Sequence, residues 1–233
     1  MKKLISLIIP VYNEERYVEE IISRVHIVNI EKEIIVVDDG SNDNSLKIIK
    51  SLKFKNLKII ENSKNYGKGY SIRSGLKYVS NQIVIIQDAD LEYDPNDYFK
   101  LIEPFKTNNI SIVYGSRFLG IKRIILNKGI NYNFRALINL GLTFLFNFFY
   151  NQKITDVHTC YKVFDSKIIP YLNLKENGFS FCPEFSAKVC KLGYKIYEVP
   201  ISYNPRSKSE GKKITFLDGF YAIKAIIKFK FFN

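Results

Sequence analysis

Acidic residues follow two apolar runs at the points where strands of a sheet would end. Asp38 and Asp39 come directly after one run, and Asp88 and Asp90 come after another, with Glu92 close behind. The carboxyl ends of parallel strands meet in one crevice, which is where open α/β sheets bind ligands. Carboxylate oxygens suit Mg²⁺ or Mn²⁺, and either ion can bridge a diphosphate. The spacing therefore predicts a divalent-cation site that also binds a phosphate-bearing ligand.

The first half of the chain alternates short apolar runs with amphipathic segments. We predict strands at residues 4–9, 33–37, 57–60, 83–86 and 111–113, and helices at residues 15–25, 44–51, 69–79 and 95–105. Strands that alternate with helices of this length indicate right-handed crossovers. The expected fold is an α/β domain with a predominantly parallel, doubly wound sheet and helices on both of its faces.

The second half begins with a strongly apolar segment at residues 131–150, which Arg135, Asn139 and Asn147 interrupt. A membrane-spanning helix needs about 20 predominantly apolar residues, and this segment falls short. We therefore predict a helix that lines a groove or lies at a membrane interface. A further helix is expected at residues 184–192 and a strand at residues 194–199.

The tail, residues 216–232, places aromatic and aliphatic residues around Lys224, Lys228 and Lys230. Such a pattern is typical of a basic amphipathic segment lying on a membrane, but it also fits an ordinary surface helix with a lysine face. The net charge of +12 favours an anionic partner. Lysines are scattered along the chain without an arginine-rich tract, so we expect a membrane surface rather than a nucleic acid.

Several classes of protein are disfavoured by spacing. The glycines of residues 66–71 lack the spacing of a P-loop or a dinucleotide fingerprint, which argues against a kinase or a nicotinamide enzyme.

The three cysteines lack CxxC spacing and indicate reduced thiols in a cytosolic setting. Met1 leads directly into a predicted strand, so we expect no signal peptide.

Four segments, IIPVYNEE, VVDDGSND, NYGKGYSIRSGL and QDADLEYDP, occur in an order and spacing that resemble the family 2 inverting glycosyltransferases of GT-A fold. Within that family the chain most resembles the dolichyl- and polyprenyl-phosphate mannose or glucose synthases. Further similar segments are YGSRF, ITDVHTCYKVF, GFSFCPEFSAKVCKLGYKIYEVPISY and PRSKSEGKKI. The resemblance covers nearly the whole chain. It implies that residues 1–115 bind a nucleotide sugar, that residues 116–215 bind the acceptor and that residues 216–233 form the tail.

The resemblance also implies roles on the donor side. The base and ribose of a nucleoside diphosphate sugar would be surrounded by Pro10, Tyr12, Glu14 and Asp39. Lys68 would lie near the nucleotide, and Asp88, Ala89 and Asp90 would form the DxD element. Both aspartates are predicted as metal-binding and catalytic residues, with Asp90 the more direct ligand of Mg²⁺ or Mn²⁺. The ion would neutralise the leaving diphosphate.

On the acceptor side, we expect a polyprenyl phosphate at the cytoplasmic face of the membrane. Its phosphate carries close to two negative charges if its second pKa is about 6, so it is already a nucleophile without a general base. Guanidinium groups match phosphate oxygens, which makes Arg117, Arg135 and Arg206, with Lys212, the predicted phosphate-binding residues. Residues 134–150 would shelter the first isoprenes. Because the hydrophobic hairpins of some relatives are lacking, we expect peripheral attachment.

Two other functions remain open at this point. A sugar-hydroxyl acceptor in surface-polysaccharide synthesis would need a general base, and Asp156 and Glu184 are the predicted candidates. Glu184 has a competing role as a charge at a helix start. The chain could also be a non-catalytic, membrane-associated scaffold that binds nucleotide sugars. His158, beside Asp156, is expected to be packed or hydrogen-bonded rather than a metal ligand.

Overall fold

The computed structural model describes residues 5–107, 110–119, 130–206 and 216–232, with side chains from Ala136 and Asp218 onward in the last two ranges. The strands are β1 (Ile5–Val11), β2 (Lys32–Asp38), β3 (Leu57–Glu61), β4 (Ile83–Ile86), β5 (Ile112–Ser116), β6 (Lys162–Asp165) and β7 (Tyr197–Pro200). The helices are α1 (Val18–Ile27), α2 (Ser45–Ser51), α3 (Lys68–Leu76), α4 (Tyr98–Ile102), α5 (Ile130–Tyr150), α6 (Ile169–Leu172), α7 (Phe181–Lys191) and α8 (Phe216–Phe231).

The described strands form one seven-stranded sheet in the order β3-β2-β1-β4-β6-β5-β7. All neighbouring strands in this sheet are parallel except β6, which runs antiparallel to both β4 and β5. The predicted α/β fold with a predominantly parallel sheet is confirmed. The sequence patterns did not predict β6, because a four-residue run with charged residues at both ends has no distinctive periodicity.

The central strands form the core because helices cover both faces of the sheet. The described residues of β1 and β4 are apolar and almost fully buried, apart from Ser6 and the half-buried Pro10. Their register pairs Ile8 with Ile86, and β1 pairs Val11 with Asp38 of β2. The three strands therefore end at one edge of the sheet, and the polar residues that follow them emerge side by side.

Helices α5 and α8 pack against each other beside this edge. The hydroxyl of Tyr150 donates to the carbonyl oxygen of Ile226 at 2.9 Å, and the rings of Phe149 and Phe231 meet edge to face at 5.8 Å. Helix α8 buries one face of its own, including Phe229. Among the described residues, no helix has both the length and the apolar character needed to cross a bilayer.

Candidate active site

A cavity of about 710 Å³ lies at the carboxyl ends of β1, β2 and β4. All residues predicted to bind the nucleotide sugar line it: Pro10, Tyr12, Glu14, Asp39, Lys68, Asp88, Ala89 and Asp90. Two of the predicted acceptor residues, Arg117 and Arg206, line it as well. The side chain of Arg135 and the whole of Lys212 lie outside the described residues. The predicted donor and acceptor residues that can be placed therefore meet in one cavity.

Asp39 fixes the loop that leads into α3. Its carboxylate accepts hydrogen bonds from the backbone N–H groups of Tyr66 at 3.2 Å and Gly67 at 2.7 Å. Gly67 has a φ of +101°, and a Cβ there would lie 2.6 Å from the carbonyl oxygen of Asn177. Only glycine tolerates both this conformation and this close approach. The loop thereby sets Lys68 in the first turn of α3, at the wall of the cavity.

Lys68 and Asp88 form an ion pair inside the cavity. Burial opposes the charge on both groups, but their mutual attraction outweighs it. The pKa of Lys68 is raised well above its ordinary value, and the pKa of Asp88 is lowered. The Nε2 of Gln87 donates to the carbonyl oxygen of Asp88 at 2.9 Å and steadies the backbone. Asp88 is thus already compensated by a positive charge of the protein.

The surroundings of Asp90, unlike those of Asp88, disfavour its ionised form. Burial, together with the nearby charges of Asp88 and Glu92, raises the pKa of Asp90 to about 7. Leu91 between the two acids has a φ of +59°, a left-handed conformation that costs a branched residue about 1–3 kcal/mol. This turn allows the N–H of Glu92 to donate to Oδ1 of Asp90 at 3.2 Å. Additional positive charge beside Asp90 would restore its ionised form.

Arg206 bridges the acidic residues on this side of the cavity. Its Nη2 donates to Asp90 Oδ2 at 3.1 Å, and its Nη1 donates to Glu14 Oε2 at 2.9 Å. The backbone N–H of Arg206 and the hydroxyl of Tyr203 each donate to a carboxylate oxygen of Glu92 at 2.7 Å. The sequence predicts Arg206 as an acceptor-binding residue. Its guanidinium instead contacts Glu14 and Asp90, which are predicted to bind the nucleotide sugar.

Arg117 reaches the cavity from the end of β5 and is held by Asp156. Its Nε and Nη2 donate to the two carboxylate oxygens at 2.7 and 2.8 Å, and the Arg117 N–H donates to Asp156 Oδ2 at 3.2 Å. The guanidinium also lies 5.1 Å from the centre of the Tyr203 ring, in cation–π contact. Asp156 is fully buried and does not line the cavity. This predicted catalytic residue therefore acts on the cavity through Arg117.

Glu184, the other candidate general base, is also fully buried and does not line the cavity. Its carboxylate accepts from the backbone N–H groups of Lys175 at 2.7 Å and Glu176 at 2.8 Å, and it pairs with Lys188 at 2.8 Å. It lies in the first turn of α7, where the helix dipole favours a negative charge. These contacts favour the competing structural role and place Glu184 out of reach of a substrate in this cavity.

His158 lines the cavity, although the sequence predicts only a packed or hydrogen-bonded side chain. Its Nε2 is buried and has no hydrogen-bond partner among the described residues. Burial and the charge of Lys162 lower the pKa of His158 to about 3, so the imidazole stays neutral. Asn139, Tyr93 and Tyr203, for which no role is predicted, also line the cavity. They come from separate segments, and only the fold brings them together.

One wall of the cavity is apolar. Helix α5 contributes Ala136, Ile138 and Leu142 to it, and Phe118 and Phe179 lie on the same cavity. Carboxylates, Arg117 and apolar side chains therefore line the same cavity. An amphiphilic ligand with an anionic head group matches the combination of Arg117 with apolar side chains.

The carboxylate oxygens of this site suit a divalent cation that is held jointly by the protein and a substrate. Within the described ranges, no three His, Cys, Asp or Glu side chains are arranged to hold a metal ion by themselves. Mg²⁺ is usually bound through one or two carboxylates, with phosphate and water oxygens completing its shell. Asp90, whose charge is disfavoured by its surroundings, and the adjacent Asp88 provide such carboxylates.

A mostly parallel sheet with paired aspartates at its carboxyl edge is typical of glycosyltransferases of GT-A fold. The model of the glycosyl transferase family 2 matches residues 6–171. The chain therefore belongs to this family and is a glycosyltransferase.

Relatives and solved structures agree with this assignment. UDP-N-acetylglucosamine–dolichyl-phosphate N-acetylglucosaminyltransferase of Methanococcus voltae is 30% identical over 236 residues, which cover 91% of each chain. Dolichol-phosphate mannosyltransferase of Pyrococcus furiosus is 31% identical over 216 residues, covering 89% of this chain and 58% of that protein. Glucosyl-3-phosphoglycerate synthase of Mycobacterium tuberculosis, crystallised with Mn²⁺, UDP and phosphoglyceric acid, has a similar fold, with a TM-score of 0.71 at 16% identity. That match covers 99% of this chain and 80% of the other.

Proposed function

We propose that this glycosyltransferase moves a hexose from a nucleoside diphosphate sugar to a polyprenyl phosphate, with inversion and with help from a divalent cation, at the inner face of the cytoplasmic membrane. Two relatives that are about 30% identical are named as transferases acting on dolichyl phosphates, which supports this acceptor class. The observation that carries the proposal is the polarity of the cavity. Asp88, Asp90 and Arg117 contribute charged groups of both signs, and α5 contributes apolar side chains, to this one cavity.

The acceptor requires no general base in this proposal. A phosphate oxygen of the lipid attacks the anomeric carbon from the side opposite the leaving group, so the new C–O bond forms as the bond to the diphosphate breaks. The electron pair of the broken bond leaves with the nucleoside diphosphate, which a bound cation would stabilise as a Lewis acid. Arg117 holds and orients the attacking phosphate, since Asp156 fixes its guanidinium in advance.

A saccharide hydroxyl as acceptor is less well supported. Its proton would have to be removed by a base in contact with the cavity. The two predicted candidates, Asp156 and Glu184, are fully buried and are occupied by other contacts. Neither of these two residues is therefore placed to act as that base.

The membrane is the proposed partner of the exposed apolar side chains on α5 and α8. These side chains are Leu137, Leu140, Phe144, Phe148, Phe220, Tyr221, Ile223, Ile227 and Phe231. Exposed lysines, Lys224, Lys228 and Lys230, accompany them on α8. A surface that combines apolar side chains with positive charge fits anionic phospholipids.

Vesicle binding tests this location. Replacing Phe144 and Phe148 by serine should weaken sedimentation with phosphatidylglycerol vesicles by about tenfold or more, because two exposed aromatic side chains that would insert into the membrane are lost. Phe99→Ser is the matched control, since Phe99 is 49% exposed but lies on α4. Equal vesicle binding by the double variant and the control would contradict the proposed orientation.

The function itself is tested with a panel of UDP-, GDP- and dTDP-sugars, a polyprenyl phosphate and Mn²⁺, by measuring nucleoside diphosphate release and the lipid product. Asp90→Asn should abolish turnover by removing a ligand charge. Asp94→Asn is the matched control, because Asp94 caps a turn outside the cavity through the N–H of Asn96 at 3.0 Å, and asparagine can do the same. Metal-independent turnover, or a product formed only on a saccharide, would overturn the proposal.

A further inference from the structure

Three polar side chains on α5 are spaced four residues apart: Asn139, Thr143 and Asn147. Residues with this spacing lie on one face of a helix. All three make hydrogen bonds to the same segment, residues 154–157, and we call them the polar ladder. Thr143 is buried and Asn139 is nearly so. A row of polar residues inside an otherwise apolar helix is costly unless each member is paired.

Each member of the polar ladder forms a hydrogen bond with a different residue of the segment. Asn147 donates to the carbonyl oxygen of Ile154 at 2.7 Å and accepts from the Ile154 N–H at 3.2 Å. Thr143 Oγ1 accepts from the N–H of Val157 at 3.2 Å. Asn139 Nδ2 donates to Oδ1 of Asp156 at 2.9 Å. Asn147 and Thr143 therefore bind the backbone of the segment, and Asn139 binds the carboxylate of Asp156.

The segment held by the polar ladder is the one that positions Arg117. The carboxylate of Asp156 accepts hydrogen bonds from Nε and Nη2 of Arg117 and from Nδ2 of Asn139. From the other side, Glu198 accepts from the N–H groups of Thr155 at 2.7 Å and Asp156 at 3.1 Å. Asp156 therefore cannot turn without breaking contacts to α5 or β7, and neither can Arg117.

A different side of α5 carries exposed apolar residues, also at a helical spacing. Leu137, Leu140, Phe144 and Phe148 follow one another by three or four residues, and their exposure ranges from 36% to 76%. One helix thus presents an apolar face to the exterior and polar groups to the Asp156 segment. A shift or rotation of α5 would therefore change the hydrogen bonds that hold Asp156 and its neighbours.

We propose that Asn139, Thr143 and Asn147 are positioning residues that couple α5 to the orientation of Arg117. The polar ladder holds Asp156, Asp156 aligns the guanidinium, and the guanidinium receives the anionic head group of the acceptor. The last step rests on the proposed function, whereas the coupling of α5 to Arg117 does not. Asn139 Oδ1 is buried without a partner among the described residues, so packing alone does not account for an asparagine here.

Arginine side-chain NMR tests the coupling without any acceptor. In protein labelled with ¹⁵N-arginine, the Nε–H signal of Arg117 is assigned by its loss in Arg117→Lys. We expect Thr143→Val and Asn139→Leu to speed exchange of this proton with water by roughly tenfold, since local opening becomes easier. Thr143→Ser, which keeps the acceptor oxygen, should behave as wild type. Unchanged exchange in both variants would overturn the proposal.

Kinetics with the lipid phosphate form the second arm. The same two variants should raise KM for the acceptor by roughly tenfold with kcat nearly unchanged, as expected for lost binding alignment. Binding of Mn²⁺ and donor should stay at the wild-type level, which shows that the fold is intact. If Asn139→Leu fails to fold, Asn139→Ser removes the same donor with less bulk. A wild-type enzyme that ignores lipid phosphate while the NMR response is present would refute the acceptor and leave the coupling standing.

Discussion

Arg117 and Asp156 form a two-pronged ion pair in which the carboxylate is fully buried and the guanidinium side chain is 15% exposed. Burial opposes ionisation of Asp156, but the charge and hydrogen bonds of Arg117 outweigh this and lower the pKa of Asp156. The pair therefore presents a fixed positive charge to the cavity from a buried anchor. Such an arrangement orients an anionic ligand without the entropy cost of ordering a free arginine.

Asp156→Asn should destabilise the protein by about 3–5 kcal/mol, because it leaves the guanidinium without its buried counter-ion. Arg117→Met should be similarly harmful, since it leaves the carboxylate unpaired. The double variant Arg117→Met with Asp156→Asn should lose clearly less than the sum of the two single losses. Urea unfolding of all four proteins measures this coupling. Strict additivity would show that the two side chains do not stabilise each other.

Arg206→Gln should bind Mn²⁺ more tightly than wild type when no donor is present. The guanidinium contacts Asp90 and Glu14, so it competes with a cation for the same negative charge. Removing a like charge this close should change affinity by about tenfold, given the strength of charge interactions near a protein surface. Titration followed by electron paramagnetic resonance of free Mn²⁺ measures it. Arg16→Gln removes the same charge from an exposed position and should leave the affinity at the wild-type level.

Glu184→Gln should reduce stability while leaving turnover per folded molecule within about twofold of wild type, because no reacting group is altered. An amide in this position would direct its NH₂ group at a backbone donor and lose the ion pair with Lys188. Leaving such groups unsatisfied costs about 1–3 kcal/mol. Glu103→Gln, on an exposed residue, is the control. Loss of turnover in a folded Glu184→Gln protein would restore the general-base hypothesis.

Acidification should destabilise the protein partly through His158. Burial lowers the pKa of His158 from 6.5 to about 3, so between these pH values the unfolded chain binds a proton that the folded protein excludes. Stability is therefore lost as the pH falls below 6.5, and no such loss occurs above it. Urea midpoints at pH 7.5 and 5.5 should fall further for wild type than for His158→Gln. An equal fall in both proteins would mean that His158 does not contribute.

Much of the proposed donor side was predictable because its residues are adjacent in sequence to strand ends. Asp39, Asp88 and Asp90 each follow a buried apolar run, so the parallel sheet alone brings them to one edge. The general strand and helix pattern of the first half follows from the same periodicity. A difference appears at α1, which begins at Val18 rather than near residue 15. Asn13 takes a left-handed φ of +50° there, and its side chain accepts from the N–H of Asn42.

The proposed acceptor side was less predictable because its contacts join distant segments. Arg206 lies 116 residues from Asp90, and nothing in either local pattern indicates that they meet. Asp156 looked like a possible base from its chemistry alone, but the structure surrounds it with Arg117 and Asn139. His158 had one available signal, its position two residues after Asp156. Burial, which decides its charge, is a property of the packed chain and not of the local sequence.

The position of β6 has a consequence for any attempt to divide the chain. This strand comes from beyond residue 160, yet it lies between β4 and β5, which both precede residue 117. A fragment ending at residue 115 would leave β5 with neither of its hydrogen-bonded neighbours and would expose the edge of β4. Expression of residues 1–115 by themselves should therefore yield an aggregation-prone chain, whereas co-expression with the remainder offers the missing strand for complementation.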